Sequence, residues 1–240
     1  MNMKKLLLLF AAVLFVVGAT MAQTENKSSV TISSGSDDNG VYVKQTLDGD
    51  EVNDSDVDIY DGSDANDVYV TQDGENQESD VTIGNDGDGN YVRVTQNDED
   101  QESDVEIYDS YDNIVYVKQD GDDNESDVYI STISDDNYVN VKQDGDDNES
   151  DVEIYDYSSG NDVYVDQDGD NLDSRVEIGD GSNENYVEVN QEYKNHESDV
   201  FIYGGSSDNW VEVSQKGNYS TSDVEISFGS NGNTVDISQK

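Results

Sequence analysis

The chain has 240 residues, with 57 acidic side chains against 11 basic ones, a formal net charge of −46 and a mean hydropathy of −0.83. That balance speaks against nucleic acid and against an anionic membrane surface as partners, since both would repel it. Cysteine is absent, so there is neither a disulfide scaffold nor an N-terminal cysteine for lipid attachment.

Lys4 and Lys5 precede an apolar run from Leu6 to Val17 and the small-residue stretch Gly18 to Ala22, the pattern of a secretory signal peptide over residues 1–22. The run is too short to span a bilayer comfortably, so no membrane insertion is expected. Residues 23–27 form a short N-terminal segment, and removal of the leader shifts the net charge to −48 because it takes two lysines and no acid.

Charge and hydropathy alone describe a disordered chain. The apolar residues nonetheless fall at fixed intervals, and from residue 28 to residue 240 one unit recurs nine times. Each unit holds two segments of period two, as in Ser79-x-Val81-x-Ile83 with Asn90-x-Val92-x-Val94-x-Gln96, and Ser150-x-Val152-x-Ile154 with Asn161-x-Val163-x-Val165-x-Gln167. The same opening Ser, Asn and closing Gln recur at Ser126, Asn137 and Gln143, at Ser174, Asn185 and Gln191, and at Ser198, Asn209 and Gln215. Closing glutamines are mostly 24 residues apart, and the longer and shorter steps fall in turns.

Side chains alternate across a strand, so Ser, Val, Ile, Asn, Val, Val and Gln of one unit share an inward face. One two-strand rung buries only about four aliphatic side chains, roughly 6–12 kcal/mol of gross stabilisation, against about 24–48 kcal/mol of backbone entropy. Rungs must therefore stack. The expected fold is all-β: a cross-β β-solenoid of nine two-strand rungs of about 24 residues, with inward Ser, Asn and Gln forming columns that satisfy themselves by hydrogen bonding from rung to rung. The arcs are rich in Gly, Asp, Asn and Ser, and proline is absent, as strands that need every amide require. The last half-rung, Val235 to Gln239, has no following cap in the sequence, and open ends of this kind favour polymerisation.

The formula S-x-V-x-I-x(6)-N-x-V-x-V-x-Q, with Q-x-G-x-x-N-x-S linking Gln119 to Ser126 and Gln143 to Ser150, resembles the curlin repeat of curli fibre subunits. The resemblance implies a bacterial extracellular functional amyloid, a fibre of the Gram-negative cell surface made of copies of itself, with a nucleator subunit and an outer-membrane export pore as further partners. The chain departs from that repeat where Asp61, Asp109, Asp156, Asp180 and Asn85 replace a glutamine, and where Ser63, Ser158, Ser182 and Ser206 replace a glycine that is kept at Gly87. The segment that marks curli subunits for export is nearly missing.

Outward acids recur in the same place, so Glu153 and Glu177 are expected about 5 Å apart, repelling by roughly 1 kcal/mol even in water. Assembly is expected to need screening salt, low pH or divalent cations. The arcs are dense in oxygen ligands but lack the spacing of a dedicated calcium loop, which fits weak, distributed Ca²⁺ binding rather than a cofactor site. Tyr60, Tyr108, Tyr155 and Tyr203 alternate with Gly84, Ser131 and Gly179; Tyr69, Tyr116 and Tyr164 alternate with Tyr91, Tyr138 and Tyr186 two positions earlier, an arrangement expected to keep the rings apart. His196 lies in a turn without a catalytic partner, and no enzyme motif is present. The expected function is a secreted structural subunit that self-assembles into fibres for matrix, biofilm or adhesion. The alternative is a discrete acidic β-solenoid that binds divalent cations or a surface as a monomer.

Overall fold

The computed structural model describes residues 26–47 and 51–240. The leader over 1–22 lies outside the described residues. Among the described residues there is no helix, and strands run from Lys27–Ile32 to Thr234–Gln239.

The rungs are residues 28–45, 55–72, 79–96, 103–119, 126–143, 150–167, 174–191, 198–215 and 222–239, numbered 1 to 9 below. Each opening strand pairs in parallel with the opening strand one rung away, and each closing strand does likewise, so two parallel walls face each other. Register follows the repeat: Ser79 lies on Ser55 and Ser103, and Gln96 on Gln72 and Gln119. A repeat of equal parity in every unit forces this, because a slip of one residue would turn every valine outward.

Sixteen strands are seen rather than eighteen, because the closing strand of one rung runs into the opening strand of the next in Asp162–Ile178 and Tyr186–Ile202. These two long strands join both walls into one sheet, and their pairing continues through the arc, with Asp168 on Glu192 and Leu172 on His196.

The core is a single file of aliphatic layers between the walls. Val81, Ile83, Val92, Val94, Val152, Ile154, Val163 and Val165 are each 0 or 1% exposed. Burial declines at both ends of the stack, where Val30, Val41, Val235 and Ile237 are only partly covered and Ile32 is 39% exposed.

The short arc turns through left-handed backbone. The sixth residue after each opening Ser has positive φ, including Asp61 at 55°, Asn85 at 56°, Asp109 at 50°, Asp156 at 54° and Asp180 at 58°. Asp and Asn tolerate that region better than other side chains with a Cβ. Glutamine does not share this tolerance, which gives the substitutions at this column a backbone reason. In the long arc, a Cβ on Gly145 (φ 124°) would lie 2.2 Å from the carbonyl oxygen of Gly169. Glycine is required there because the next rung sits directly against it.

Candidate functional site

The surfaces that decide what this molecule can do are the stacked side-chain columns and the two outer walls. The closing glutamines form an unbroken amide ladder. Gln72 Nε2 donates to Gln96 Oε1 at 2.9 Å, Gln96 to Gln119 at 3.0 Å, Gln119 to Gln143 at 3.0 Å and Gln143 to Gln167 at 3.0 Å. The series continues through Gln191 and Gln215 to Gln239. Each Nε2 in rungs 1 to 5 also donates to the carbonyl oxygen at the start of its own rung's opening strand and to one in the long arc that follows, as Gln143 does to Glu125 at 2.8 Å and Asn148 at 3.0 Å.

The asparagine column runs the other way. Asn137 donates from its backbone N–H (2.9 Å) and Nδ2 (3.1 Å) to Asn113 Oδ1, and Asn161 does the same to Asn137. This repeats from Asn90 through Asn185 and Asn209 to Asn233. Gln amides thus point toward rung 9 and Asn amides toward rung 1, which gives the stack a chemical direction.

The opening serines differ from the expected ladder. Ser79, Ser126, Ser150 and Ser174 are buried, yet their hydroxyls have no hydrogen-bond partner, and the one contact in the column is Ser222 Oγ to Ser198 Oγ at 3.1 Å. The reason is geometric. An amide carries donor and acceptor on separate atoms and so bridges the rise of about 4.8 Å between strands, whereas like hydroxyls each offer one oxygen at that separation.

A working serine ladder lies in the short arc instead. The backbone N–H of Ser158 donates to Ser134 Oγ at 3.2 Å, Ser182 to Ser158 at 3.2 Å and Ser206 to Ser182 at 3.1 Å. These are the serines that replace the curlin glycine. A fifth inward polar column was not evident from the sequence because its residue type changes: Asn53, Gln77, Gln101, Asn124, Asn148, Leu172 and His196 are all buried in the long arc. Asn124 Nδ2 reaches the Gly145 carbonyl at 2.8 Å and its Oδ1 accepts from the Asn148 N–H at 3.2 Å. His196 takes the same place. Its Nδ1 accepts from the Ser220 N–H at 3.1 Å and its Nε2 lies 2.9 Å from the Glu192 carbonyl. That network assigns the proton to Nε2.

Outside, the walls differ. The opening wall carries one acidic column from Asp54 through Glu78, Glu102, Glu125, Glu149 and Asp173 to Glu197, and a second from Asp56 through Asp80, Asp104, Asp127 and Asp151 to Asp199 and Asp223, interrupted by Arg175 between Asp151 and Asp199. Burial against neighbouring strands, with nearby carboxylates adding to it, pushes the carboxyls of Asp80, Asp127, Asp173 and Asp199 above their usual range. For Asp104 the same causes raise it to about 6. Glu153 and Glu177 pair in register as expected, but Arg175 relieves them, with its guanidinium 3.9 Å from Glu153, 3.4 Å from Glu177 and 3.5 Å from Asp151.

The closing wall carries a continuous line of aromatic rings, and here the expectation that alternation separates them is corrected. Tyr42, Tyr69, Tyr91, Tyr116, Tyr138, Tyr164 and Tyr186 form a continuous zigzag with centroids 5.3–6.3 Å apart, and Trp210 stacks on Tyr186 at 4.0 Å. Residues two positions apart on adjacent strands are diagonal neighbours, close enough for large rings to touch. On the opening side the alternation does serve spacing, since the Tyr60 ring lies over Gly84 and would meet a Cβ there at 2.7 Å.

Among the described residues no group of three or more His, Asp or Glu side chains is poised to hold a metal ion. No helix among them is long and apolar enough to cross a membrane. No curated protein matches the chain in sequence. Residues 135–177, which take in the end of rung 5, rung 6 and the start of rung 7, match the curlin associated repeat, a repeat of structural rather than enzymatic proteins. The other rungs lie in register on that segment, and the chain is a parallel β-solenoid that carries a curlin associated repeat over residues 135–177.

Proposed function

We propose that the protein is a secreted, extracellular structural subunit whose copies stack end to end into curli-like amyloid fibres for matrix, biofilm or adhesion. The observation that carries this reading is the direction of the two amide ladders. Among the described residues, no amide donates to Gln45 Oε1 at the rung 1 face, while at the rung 9 face Gln239 Nε2 reaches only the Thr221 carbonyl, at 3.0 Å. Among the described residues, no further rung donates to Asn233 Oδ1, and Asn39 Nδ2 reaches the Ser63 carbonyl at 2.7 Å instead of another asparagine. A second copy placed rung 1 on rung 9 completes both ladders and covers Val41, Val43, Val235 and Ile237 by the contacts already used eight times inside the chain. The Asn and Gln ladder residues, from Asn90 to Gln215, are proposed to act through this stacking, with another copy as the principal partner. A nucleator and an export pore are the further partners the family suggests.

Incubation of the secreted chain with thioflavin, electron microscopy and fibre diffraction tests this. Fibres with a meridional spacing of about 4.8 Å are expected. A chain that stays monomeric at every concentration and salt tried overturns the proposal, and divalent-cation binding by that monomer would favour a discrete acidic solenoid.

A further inference from the structure

The outward side of the closing wall is charged unevenly along the solenoid. Its basic residues sit in the early rungs: Lys44 in rung 1, Arg93 in rung 3, Lys118 in rung 4 and Lys142 in rung 5. Its acidic residues gather in the later ones: Asp162 and Asp166 in rung 6, Glu188 in rung 7, Glu212 in rung 8 and Asp236 in rung 9. Asp67 in rung 2, with Asp73, Asp120 and Asp144 just past rungs 2, 4 and 5, balances the early bases, and Lys216 just past rung 8 stands among the later acids, so the early half is near neutral and the later half strongly acidic. Between them runs the aromatic zigzag, with Tyr42, Tyr69 and Trp210 exposed at 44, 38 and 46%. The opposite wall, with its two acidic columns, has neither feature.

We propose that this wall docks against the same wall of a second copy, with the two solenoid axes antiparallel and a two-fold axis lying along the strand direction at rung 5. That operation lays each rung against the rung equally far from the other end and each outward column against itself. Arg93 then faces Glu188 of the second copy, Lys118 faces Asp166, and Lys44 meets the edge holding Ser238 and Asp236. Lys142 approaches its own image, but each brings along Asp166, which it already holds at 3.0 Å. Two copies with parallel axes would instead set the acidic later rungs against acidic later rungs, which the charges oppose.

The area is adequate. Nine rungs at about 4.8 Å and seven residues at about 3.3 Å give a face of about 40 by 20 Å, or about 800 Å² per partner, the size of a standard specific interface. The tyrosines that run along it and Trp210 near its rung 9 end are residue types enriched in such contacts. The acidic walls of both copies stay on the outside, as far apart as the pair permits. This pairing is lateral and separate from end-to-end stacking, so either can hold without the other.

Mass per length by scanning transmission electron microscopy reads pairing in fibres, and sedimentation reads it in any chain that does not form them. Two chains per nine-rung rise, or a dimer in solution, is the expected result. Arg93→Glu alone and Glu188→Arg alone should each halve the mass per length, with circular dichroism unchanged because both side chains lie outside the core. The double exchange, Arg93→Glu with Glu188→Arg, should restore it, since the two positions face each other only in the antiparallel pair. Single-width fibres from the natural chain, whether or not they bind a polysaccharide through the tyrosines, overturn the pairing and leave polymerisation standing. So does a double exchange that fails to restore width. Dimers without fibres support the pairing and overturn end-to-end polymerisation instead.

Discussion

At the level of single residues, burial and hydrogen bonding separate side chains that look alike in the sequence. Gln143 and Ser150 are both 0 or 1% exposed, but Gln143 Nε2 donates to three oxygens while the Ser150 hydroxyl has no partner. Gln143→Ala leaves Gln167 Oε1 without its donor and opens a cavity. It should cost about 1–3 kcal/mol for the orphaned group alone. Ser150→Ala removes a polar atom that gains nothing where it lies, and should be neutral or stabilising. Urea unfolding followed by circular dichroism orders the two, and a Ser150→Ala variant less stable than Gln143→Ala would contradict the assigned roles. His196 gives a second comparison. Asparagine fills this column in other rungs with the same acceptor geometry, so His196→Asn should retain stability, whereas His196→Ala should lose about 1 kcal/mol or more because the half-buried Ser220 N–H is left unpaired and the buried ring leaves a cavity.

At the level of the walls, the acidic face makes stability depend on pH in a defined direction. The carboxyls of Asp80, Asp104, Asp127, Asp173 and Asp199 hold protons more tightly in the stack than in the unfolded chain, Asp104 up to about 6. The folded state therefore binds more protons than the unfolded state between about pH 4 and 6, so stability falls as pH rises through that window and is recovered on acidification. Urea midpoints at pH 4.5 should exceed those at pH 7.5, and the gap should narrow as salt screens the columns. Equal midpoints at both pH values in low salt would refute this. The wall was legible in the sequence because its columns repeat Asp and Glu at fixed parity, as was the core from its Val and Ile. The long-arc column was not: Asn, Gln, Leu and His share only a position. The silence of the opening serines was hidden too, since it depends on atomic reach and not on residue type. Tyrosine alternation was visible, but whether rings on neighbouring strands part or touch is decided by diagonal contacts, which a one-dimensional pattern does not display.

At the level of the whole molecule, each rung touches only its neighbours, so the solenoid should behave as a sum of equal units and equal interfaces. Its length is then a free variable in steps of one rung. Removal of residues 144–167 joins Gln143 to Asp168, and because Asp168 occupies the same register position as Asp144, every column closes over the gap unchanged. The shortened chain should unfold in one transition with a urea m value smaller by about one ninth, in line with the surface lost. Removal of residues 144–155 takes out half as much chain but sends a second closing strand where an opening strand belongs. Asn and Gln ladders of opposite direction would then meet serine and valine columns, leaving buried amides with no partner. That variant should lose cooperative unfolding altogether. If the smaller deletion were tolerated as well as the larger one, column matching would not be what holds the stack together. The same matching is what a second copy meets at either end, so the tolerance for whole rungs and the capacity to add further chains have one physical origin.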